Sequence, residues 1–146
     1  MSPGALTVLY IDDDRNDLAL FGMAVDATDF DIWLYTVSSG AQAIEFLEEC
    51  RLNLETVHAL PDVLLLDLRM PAMTGLDLLR WKQTSPFKSI PVAVFSSALN
   101  PDEGQEALQL GADKCIEKPM EFKQTKALVA EIWRWGTEQK SRLLSH

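Results

Sequence analysis

Residues 62–67 read DVLLLD, with four consecutive apolar residues between two aspartates. Because the side chains of a strand point alternately to its two faces, an unbroken apolar run needs apolar neighbours on both faces. This pattern is typical of a central strand in a parallel sheet that helices cover on each side. The run therefore predicts a strand over Val63–Leu66 that ends at Asp67.

Apolar runs alternate with amphipathic segments on either side of this strand. Further strands are predicted over Leu6–Ile11, 31–37, 91–95 and 113–117, and helices over 14–27, 40–51, 75–84, 101–110 and from about Met120 onward. Five strand–helix units with right-handed crossovers predict an α/β fold: a doubly wound five-stranded parallel sheet of order 2-1-3-4-5, flanked by five helices and flavodoxin-like. The 146 residues fit a single domain, with a core over about 5–138 and a short polar C-terminal tail.

The chain is acidic, with 22 Asp and Glu against 13 Lys and Arg and a formal net charge of -9. This charge disfavours nucleic acid and anionic membranes as partners, because the field of the protein repels phosphates. We expect a cytoplasmic protein, since the sequence shows neither an apolar run of transmembrane length nor a signal peptide. Cys50 and Cys115 are far apart in the sequence, which indicates a reducing compartment rather than a disulfide framework.

Acidic residues follow two of the predicted strands at the points where the strands end. Asp12 and Asp13 follow the first strand, and Asp67 follows the third. In a doubly wound fold the carboxyl ends of these strands meet at the ligand-binding crevice, so we expect the three carboxylates to lie close together. Close carboxylates repel one another unless a cation neutralises them, and Mg²⁺ is the ordinary cation where phosphate is handled.

A hydroxyl and an amine lie at the remaining strand ends, because Ser96 ends the fourth predicted strand and Lys118 follows the fifth. The Asp67 carboxylate can act as a nucleophile that forms an acyl phosphate. Phosphoryl transfer then requires a metal ion, an ammonium group and a hydroxyl donor, for which Asp13, Lys118 and Ser96 are the candidates. Each residue alone has an ordinary structural role, such as capping a helix or a turn. Their coincidence at strand ends favours a phosphoryl-transfer site.

Four segments carry a family resemblance, namely VLYIDDD at 8–14, PDVLLLDLRMPAMTG at 61–75, IPVAVFSS at 90–97 and GADKCIEKP at 111–119. In this order and spacing they resemble the receiver domains of two-component response regulators. The LPDVLLLDLRMP variant, with an extended loop before it, is similar to single-domain regulators paired with bacterial phytochrome-type kinases.

The resemblance implies a stand-alone receiver domain over residues 1–146. It would accept a phosphoryl group from a sensor histidine kinase or a histidine phosphotransfer protein onto Asp67, with Mg²⁺ as cofactor. It would not be an enzyme beyond catalysing its own phosphorylation and dephosphorylation. Only a helix and a short polar tail follow Lys118, so we expect output through protein contact or onward phosphotransfer rather than through a DNA-binding segment.

The resemblance also assigns the metal ligands by position. Asp13 would bind Mg²⁺ directly, and Asp12 would bind it through water. Asp67 and the backbone carbonyl of Arg69 would complete the protein ligands. The donor set would then be all oxygen, as Mg²⁺ prefers.

The residues that report phosphorylation only partly match the family. By resemblance, Ser96 hydrogen-bonds the phosphoryl group and shifts on activation, and Lys118 pairs with that group. A cis peptide bond is expected before Pro119. The family often places an aromatic residue three positions before the lysine, where this chain has Cys115. We therefore expect the aromatic half of the switch to be missing.

Two apolar surfaces are candidates for protein contacts. The last helix places four apolar residues on one stripe and two beside it, namely Phe122, Val129, Ile132 and Trp133, with Leu128 and Trp135 to the side. This apolar face is wider than one contact with the sheet needs. It predicts either that Trp135 folds over the edge of the helix and extends the core, or that the 101–135 face forms a homodimer surface. The resemblance places kinase docking near the first helix, where Leu20 and Met23 lie off the inward stripe.

Three alternative functions stay open. A phosphohydrolase of the haloacid dehalogenase type uses an aspartate pair spaced like Asp12 and Asp14, but it needs a later acidic pair that FSSALN at 95–100 does not supply. A flavin- or nucleotide-binding module needs a loop rich in Gly, Ser or Thr after the first strand, where this chain has aspartates. A degenerate receiver that only binds partners is disfavoured by the intact Asp67, Ser96 and Lys118.

Overall fold

The computed structural model describes residues 5–52 and 60–144, and this part of the chain forms one sheet with helices on both faces. In chain order the elements are β1 (Leu6–Ile11), α1 (Arg15–Asp26), β2 (Ile32–Val37), α2 (Gly40–Leu52), β3 (Val63–Leu66), α3 (Gly75–Gln83), β4 (Val92–Ser96), α4 (Pro101–Gln109), β5 (Lys114–Glu117) and α5 (Phe122–Leu144). The strand order is β2-β1-β3-β4-β5, and each neighbouring pair is parallel. The predicted doubly wound α/β fold is confirmed.

The side chains of β3 alternate between two core layers, which explains its unbroken apolar run. Leu64 and Leu66 belong to the layer that α2, α3 and α4 cover, whereas Val63 and Leu65 belong to the layer that α1 and α5 cover. The helices add buried apolar residues to the two layers, Ala43, Leu47, Leu78, Leu79 and Ala107 to the first and Phe21, Ala24, Val25, Leu128, Val129 and Ile132 to the second. The sheet is thus covered on both faces, and its strand ends are left for ligands.

The last helix differs from the prediction at both ends. It begins at Phe122 rather than near Met120 and continues to Leu144, so the segment predicted as a polar tail is largely helical. Phe122 was predicted on the buried stripe, but it is 38% exposed because it lies at the very start of the helix. Leu128, predicted beside the stripe, is only 6% exposed and belongs to the core.

Contacts with the start of the sheet explain why the polar end of α5 stays ordered. The Lys140 ammonium donates to the carbonyl oxygen of Ala5 at 2.8 Å and lies 3.6 Å from Asp62. Gly136 lies so close to Leu6 that a Cβ there would come within 2.5 Å of its side chain. Among the described residues, no helix is both long and apolar enough to cross a membrane.

Candidate functional site

The carboxyl ends of four strands meet at one edge of the sheet. Asp12 and Asp67 each follow the last residue of a strand, and these two strands are paired in register. Ser96 ends β4, and Lys118 follows the neighbouring β5. The parallel register therefore brings the four side chains to one crevice, at the point where ligands bind in doubly wound folds.

Three carboxylates form the acidic part of this crevice. Oxygen atoms of Asp12, Asp13 and Asp67 all lie within 4.8 Å of one another. Asp12 and Asp67 are buried, with 0% and 5% of their surface exposed, whereas Asp13 is exposed. Hard oxygen ligands at this spacing, with one of them open to solvent, fit a divalent cation that keeps part of its water shell.

The electrostatics of Asp67 point to the same kind of ligand. Burial raises the pKa of the Asp67 carboxyl, the hydrogen bond from Ser96 opposes that shift, and the charge of Asp12 adds to it. The net effect is a pKa above the ordinary value. A bound cation would offset both the burial and the repulsion from Asp12, so the donor set fits Mg²⁺ on chemical grounds.

Ser96 and Lys118 supply the hydrogen-bond donors of the crevice. The buried Ser96 hydroxyl donates to Asp67 Oδ1 at 2.8 Å. Lys118 Nζ lies 2.6 Å from Asp12 Oδ2, 2.8 Å from Asp17 Oδ2 and 3.7 Å from Asp67 Oδ2. Burial lowers the pKa of Lys118, but the surrounding carboxylates outweigh burial and the net shift is upward. The ammonium is therefore charged at neutral pH.

Tyr10 and Asp17 belong to the site, although the sequence analysis did not identify them. The buried Tyr10 hydroxyl donates to Asp12 Oδ2 at 2.7 Å, and the Asp14 N–H donates to Asp12 Oδ1 at 3.0 Å. With Lys118, Asp12 accepts from three donors, which leaves few lone pairs for direct metal binding. Strand alternation was a signal for Tyr10, because residues two apart share a face. The contact between Asp17 and Lys118 joins α1 to the residue that follows β5, and the sequence offers no local signal for it.

The loop after β3 is joined to α4 by the side chain of Arg69. Its guanidinium lies 2.6 Å from Glu103 Oε1 and donates to the carbonyl oxygen of Ala98 at 3.2 Å. Ala98 has a φ of 50°, a left-handed conformation that a non-glycine residue adopts only where its surroundings hold it. From the sequence, only the backbone carbonyl of Arg69 was expected to take part, and the role of that carbonyl as a metal ligand stays a prediction.

Cys115 occupies the position where the resemblance leads us to expect an aromatic ring. Its half-buried thiol lies 3.7 Å from the carbonyl oxygen of Gly104 in α4, and burial raises its pKa. This small side chain packs against α4 without a ring that can change its exposure. The expectation of a cis bond before Pro119 is wrong for this structure, which has the lower-energy trans form at Lys118–Pro119.

Comparisons with known proteins agree with this geometry. A family model for the response regulator receiver domain matches residues 8–130. The chain is 35% identical to two-component response regulator ORR1 of Oryza sativa subsp. japonica over 129 residues, which are 86% of this chain and 54% of that protein. It therefore spans about half the length of that relative.

Solved structures give the same result. The chain resembles the phosphorylated cyanobacterial phytochrome response regulator RcpA with a TM-score of 0.74 and 25% identity, over 88% of this chain and 94% of that one. It matches response regulator RPA3017 in red light signaling of R. palustris with a TM-score of 0.79 and 21% identity, over 89% and 92% of the two chains. Neither the phosphohydrolase nor the flavin-binding alternative is favoured by these matches. The chain belongs to the response regulator receiver domain family of two-component signalling.

Proposed function

We propose that this chain is a receiver that accepts a phosphoryl group on Asp67 from a sensor histidine kinase or a histidine phosphotransfer protein. The observation that carries the proposal is the surroundings of Asp67. This buried carboxylate shares a crevice with two further carboxylates, the Ser96 hydroxyl and the Lys118 ammonium. Phosphoryl transfer requires a nucleophile, a set of metal ligands and hydrogen-bond donors to the phosphoryl oxygens, and the crevice contains candidates for each.

The transfer step uses these groups without any further covalent chemistry. An Asp67 carboxylate oxygen forms a bond to phosphorus as the bond from phosphorus to the donor's imidazole nitrogen breaks, and the bonding pair stays on that nitrogen. Ser96 and Lys118 stabilise the charge on the phosphoryl oxygens. Asp13, Asp67, the carbonyl of Arg69 and, through water, Asp12 would hold Mg²⁺, which neutralises the charge that gathers there. The protein would act on no substrate other than its own aspartate.

An apolar patch beside the crevice fits a donor protein. Leu20 and Met23 on α1 are 47% and 58% exposed, and Met120 in the loop before α5 is 98% exposed. Leu20 lines a small cleft together with Lys118 and Pro119, so the patch adjoins the site of transfer. The net charge of -9 favours a protein partner over nucleic acid or an anionic membrane. Output would then follow by protein contact or onward phosphotransfer in the cytoplasm.

The nature of the donor kinase can be proposed from one structural relative. RcpA is a phytochrome response regulator and its structure is of the phosphorylated protein. This likeness supports a sensor kinase of the phytochrome type as the donor. Transfer of label from such a kinase to this chain, compared with transfer from an unrelated histidine kinase, tests the assignment.

Phosphorylation is tested by incubating the chain with acetyl phosphate and Mg²⁺ and measuring its intact mass. We expect the wild type to gain one phosphoryl group, and we expect no gain in Asp67→Asn or in the presence of EDTA. An unlabelled wild type would overturn the proposal. Steady hydrolysis of phosphate esters that persists in Asp67→Asn would favour a phosphohydrolase instead.

A further inference from the structure

We propose that Asp17 is a positioning residue that holds Lys118 away from Asp67 in the unphosphorylated protein and thereby slows phosphorylation. The inference rests on the proposed function, because it concerns the rate at which Asp67 takes up a phosphoryl group. It adds a residue that neither the family resemblance nor the strand-end pattern identified. Asp17 lies on α1, outside the strand ends that form the crevice.

The distances around Lys118 carry the proposal. Its ammonium hydrogen-bonds Asp12 Oδ2 at 2.6 Å and Asp17 Oδ2 at 2.8 Å. The nearest distance from the ammonium to an Asp67 oxygen is 3.7 Å, which is beyond hydrogen-bonding range. Two carboxylates therefore hold the amine, and the phosphoacceptor that it must serve is the most distant of the three.

Asp12 and Asp17 differ in how much they depend on this amine. Asp12 is fully buried and also accepts from the Tyr10 hydroxyl and the Asp14 N–H, so it keeps donors if Lys118 moves. Among the described contacts, Lys118 is the hydrogen-bond partner of the Asp17 carboxylate, which is one-third exposed. Asp17 is thus the partner that Lys118 can leave at the smaller cost, because water can replace the lost bond.

An ordinary structural role explains only part of this arrangement. An acidic residue in the first turn of a helix is stabilised by the helix dipole, and Asp17 is such a residue. That role requires a negative charge, but it does not require the carboxylate to be aimed at the lysine of the phosphoryl site. The 2.8 Å contact with Lys118 is therefore the observation that needs a functional explanation.

The contact affects phosphorylation through competition for one cation. A phosphoryl group on Asp67 carries roughly two negative charges in place of the one on the carboxylate, and it adds three acceptor oxygens beside Lys118. To pair with those oxygens, the ammonium must move from 3.7 Å into hydrogen-bonding range, and its 2.8 Å bond to Asp17 opposes that movement. The Asp17 bond favours the resting position of Lys118, so it raises the barrier to loading.

The test compares Asp17→Asn with the wild type in labelling by phosphoramidate at saturating Mg²⁺. We expect labelling to be about 1.5-fold to fivefold faster, the range for losing one partly exposed ion pair. Asp17→Glu should return the rate towards that of the wild type, because it keeps a carboxylate that can reach Lys118. Asp26→Asn, the same change of charge at the far end of α1, is the matched control and should label at the wild-type rate.

The outcomes separate this inference from the proposed function. Equal labelling of the wild type and Asp17→Asn, or slower labelling of the variant, would overturn the role of Asp17 while leaving Asp67 as the acceptor. Equal acceleration in Asp26→Asn would overturn it too, because general electrostatics would then explain the rate. A wild type that is not labelled at all would instead overturn the proposed function. Thermal unfolding of each variant verifies that the folded proteins are being compared.

Discussion

The folded protein disfavours the charged form of the Asp67 carboxyl group. Burial raises its pKa in the folded state above the unfolded value, and Asp12 adds to the shift. A raised acid pKa means that the folded state binds the proton more tightly, so ionisation of Asp67 destabilises the fold. This penalty is absent below the unfolded pKa, grows as pH rises through the folded pKa and is complete above it.

Removal of this charge should therefore stabilise the metal-free protein. We predict that Asp67→Asn raises the unfolding free energy at pH 7 by about 1 kcal/mol, which corresponds to a Tm higher by a few degrees. The difference should shrink as pH falls towards 4, because the wild-type carboxyl then becomes neutral. Calorimetry across this pH range, with EDTA present, measures both effects.

Two controls accompany the comparison of Asp67→Asn with the wild type, namely the addition of Mg²⁺ and a variant of an aspartate outside the crevice. Mg²⁺ should raise the Tm of the wild type much more than that of Asp67→Asn, since the ion binds only the folded site. The exposed Asp29 lies outside the crevice, and Asp29→Asn should leave the unfolding free energy within a few tenths of a kcal/mol. A destabilised Asp67→Asn protein would show that the hydrogen bond from Ser96 and the charge of Lys118 outweigh burial.

At the scale of elements, β1, β3 and β4 were the most predictable strands, because each is a mainly apolar run followed by polar residues. β1 and β3 have the predicted bounds, β2 and β5 begin one residue later than predicted, and β4 is shifted by one residue at both ends. The start of α5 was less predictable, because the segment after Pro119 offers no cap as clear as Asp14 at α1 or Thr74 at α3. Site residues at strand ends follow from the register of a parallel sheet. Glu103 of α4 was missed because its partner, Arg69, lies 34 positions away in the loop after β3.

The position of α3 depends on a glycine at its first residue. A Cβ on Gly75 would lie 2.5 Å from the backbone oxygen of Asp67 and 2.7 Å from Leu68 Cα, so backbone atoms would have to shift. We predict that Gly75→Ala lowers the unfolding free energy by about 1–3 kcal/mol and slows labelling of Asp67 by displacing its backbone. Denaturant titration and the acetyl phosphate reaction measure the two effects.

Gly22 in α1 provides the matched control for this substitution. Its nearest neighbour would lie 4.0 Å from a new Cβ, in ordinary contact. Gly22→Ala should therefore raise the unfolding free energy by about 0.5–1 kcal/mol, the usual gain for this exchange within a helix. If both variants were equally stable, the close approach at Gly75 would not constrain α3.

The start of α4 is the element best placed to respond to Asp67 without an aromatic residue at position 115. Arg69, two residues after Asp67, holds Glu103 at 2.6 Å, and Glu103 also accepts from the Asn100 side chain. A phosphoryl group on Asp67 would compete with Glu103 for the guanidinium. We predict that Glu103→Gln speeds amide exchange in the first turn of α4 by about twofold to fivefold in the unphosphorylated protein.

A second ion pair on the same helix controls for the loss of charge. Glu106 pairs with Arg80 of α3 at 2.9 Å, farther along α4. Glu106→Gln should leave exchange in the first turn of α4 unchanged. Equal exchange there in the wild type and Glu103→Gln would mean that the Arg69 contact does not restrain α4.

At the scale of the whole molecule, the face formed by α4, β5 and α5 bears on the two alternatives predicted for the last helix. Its extra apolar residues were expected either to extend the core or to form a dimer surface. Trp135 is half-buried and packs against the core layer of α1 and α5, and Lys114 Nζ lies 5.7 Å from the centre of its ring. The indole is therefore a satellite of the core. The same residues line an open cleft with Arg134 and two glutamates, so what this face offers to another protein is mainly mixed charge.

Mixed charge on one face favours a two-fold contact between copies, because the same patch meets itself and opposite charges can pair crosswise. We predict that the protein dimerises through this face when a beryllofluoride–Mg²⁺ complex mimics the phosphoryl group, since Asp67 and α4 are linked through Arg69. Arg134→Glu should then prevent the dimer, whereas Arg51→Glu on α2, across the sheet, should not. Sedimentation equilibrium up to about 100 µM, where a weak dimer forms, measures the outcome. Monomers at that concentration both with and without the mimic would exclude the dimer and leave this face for a different partner.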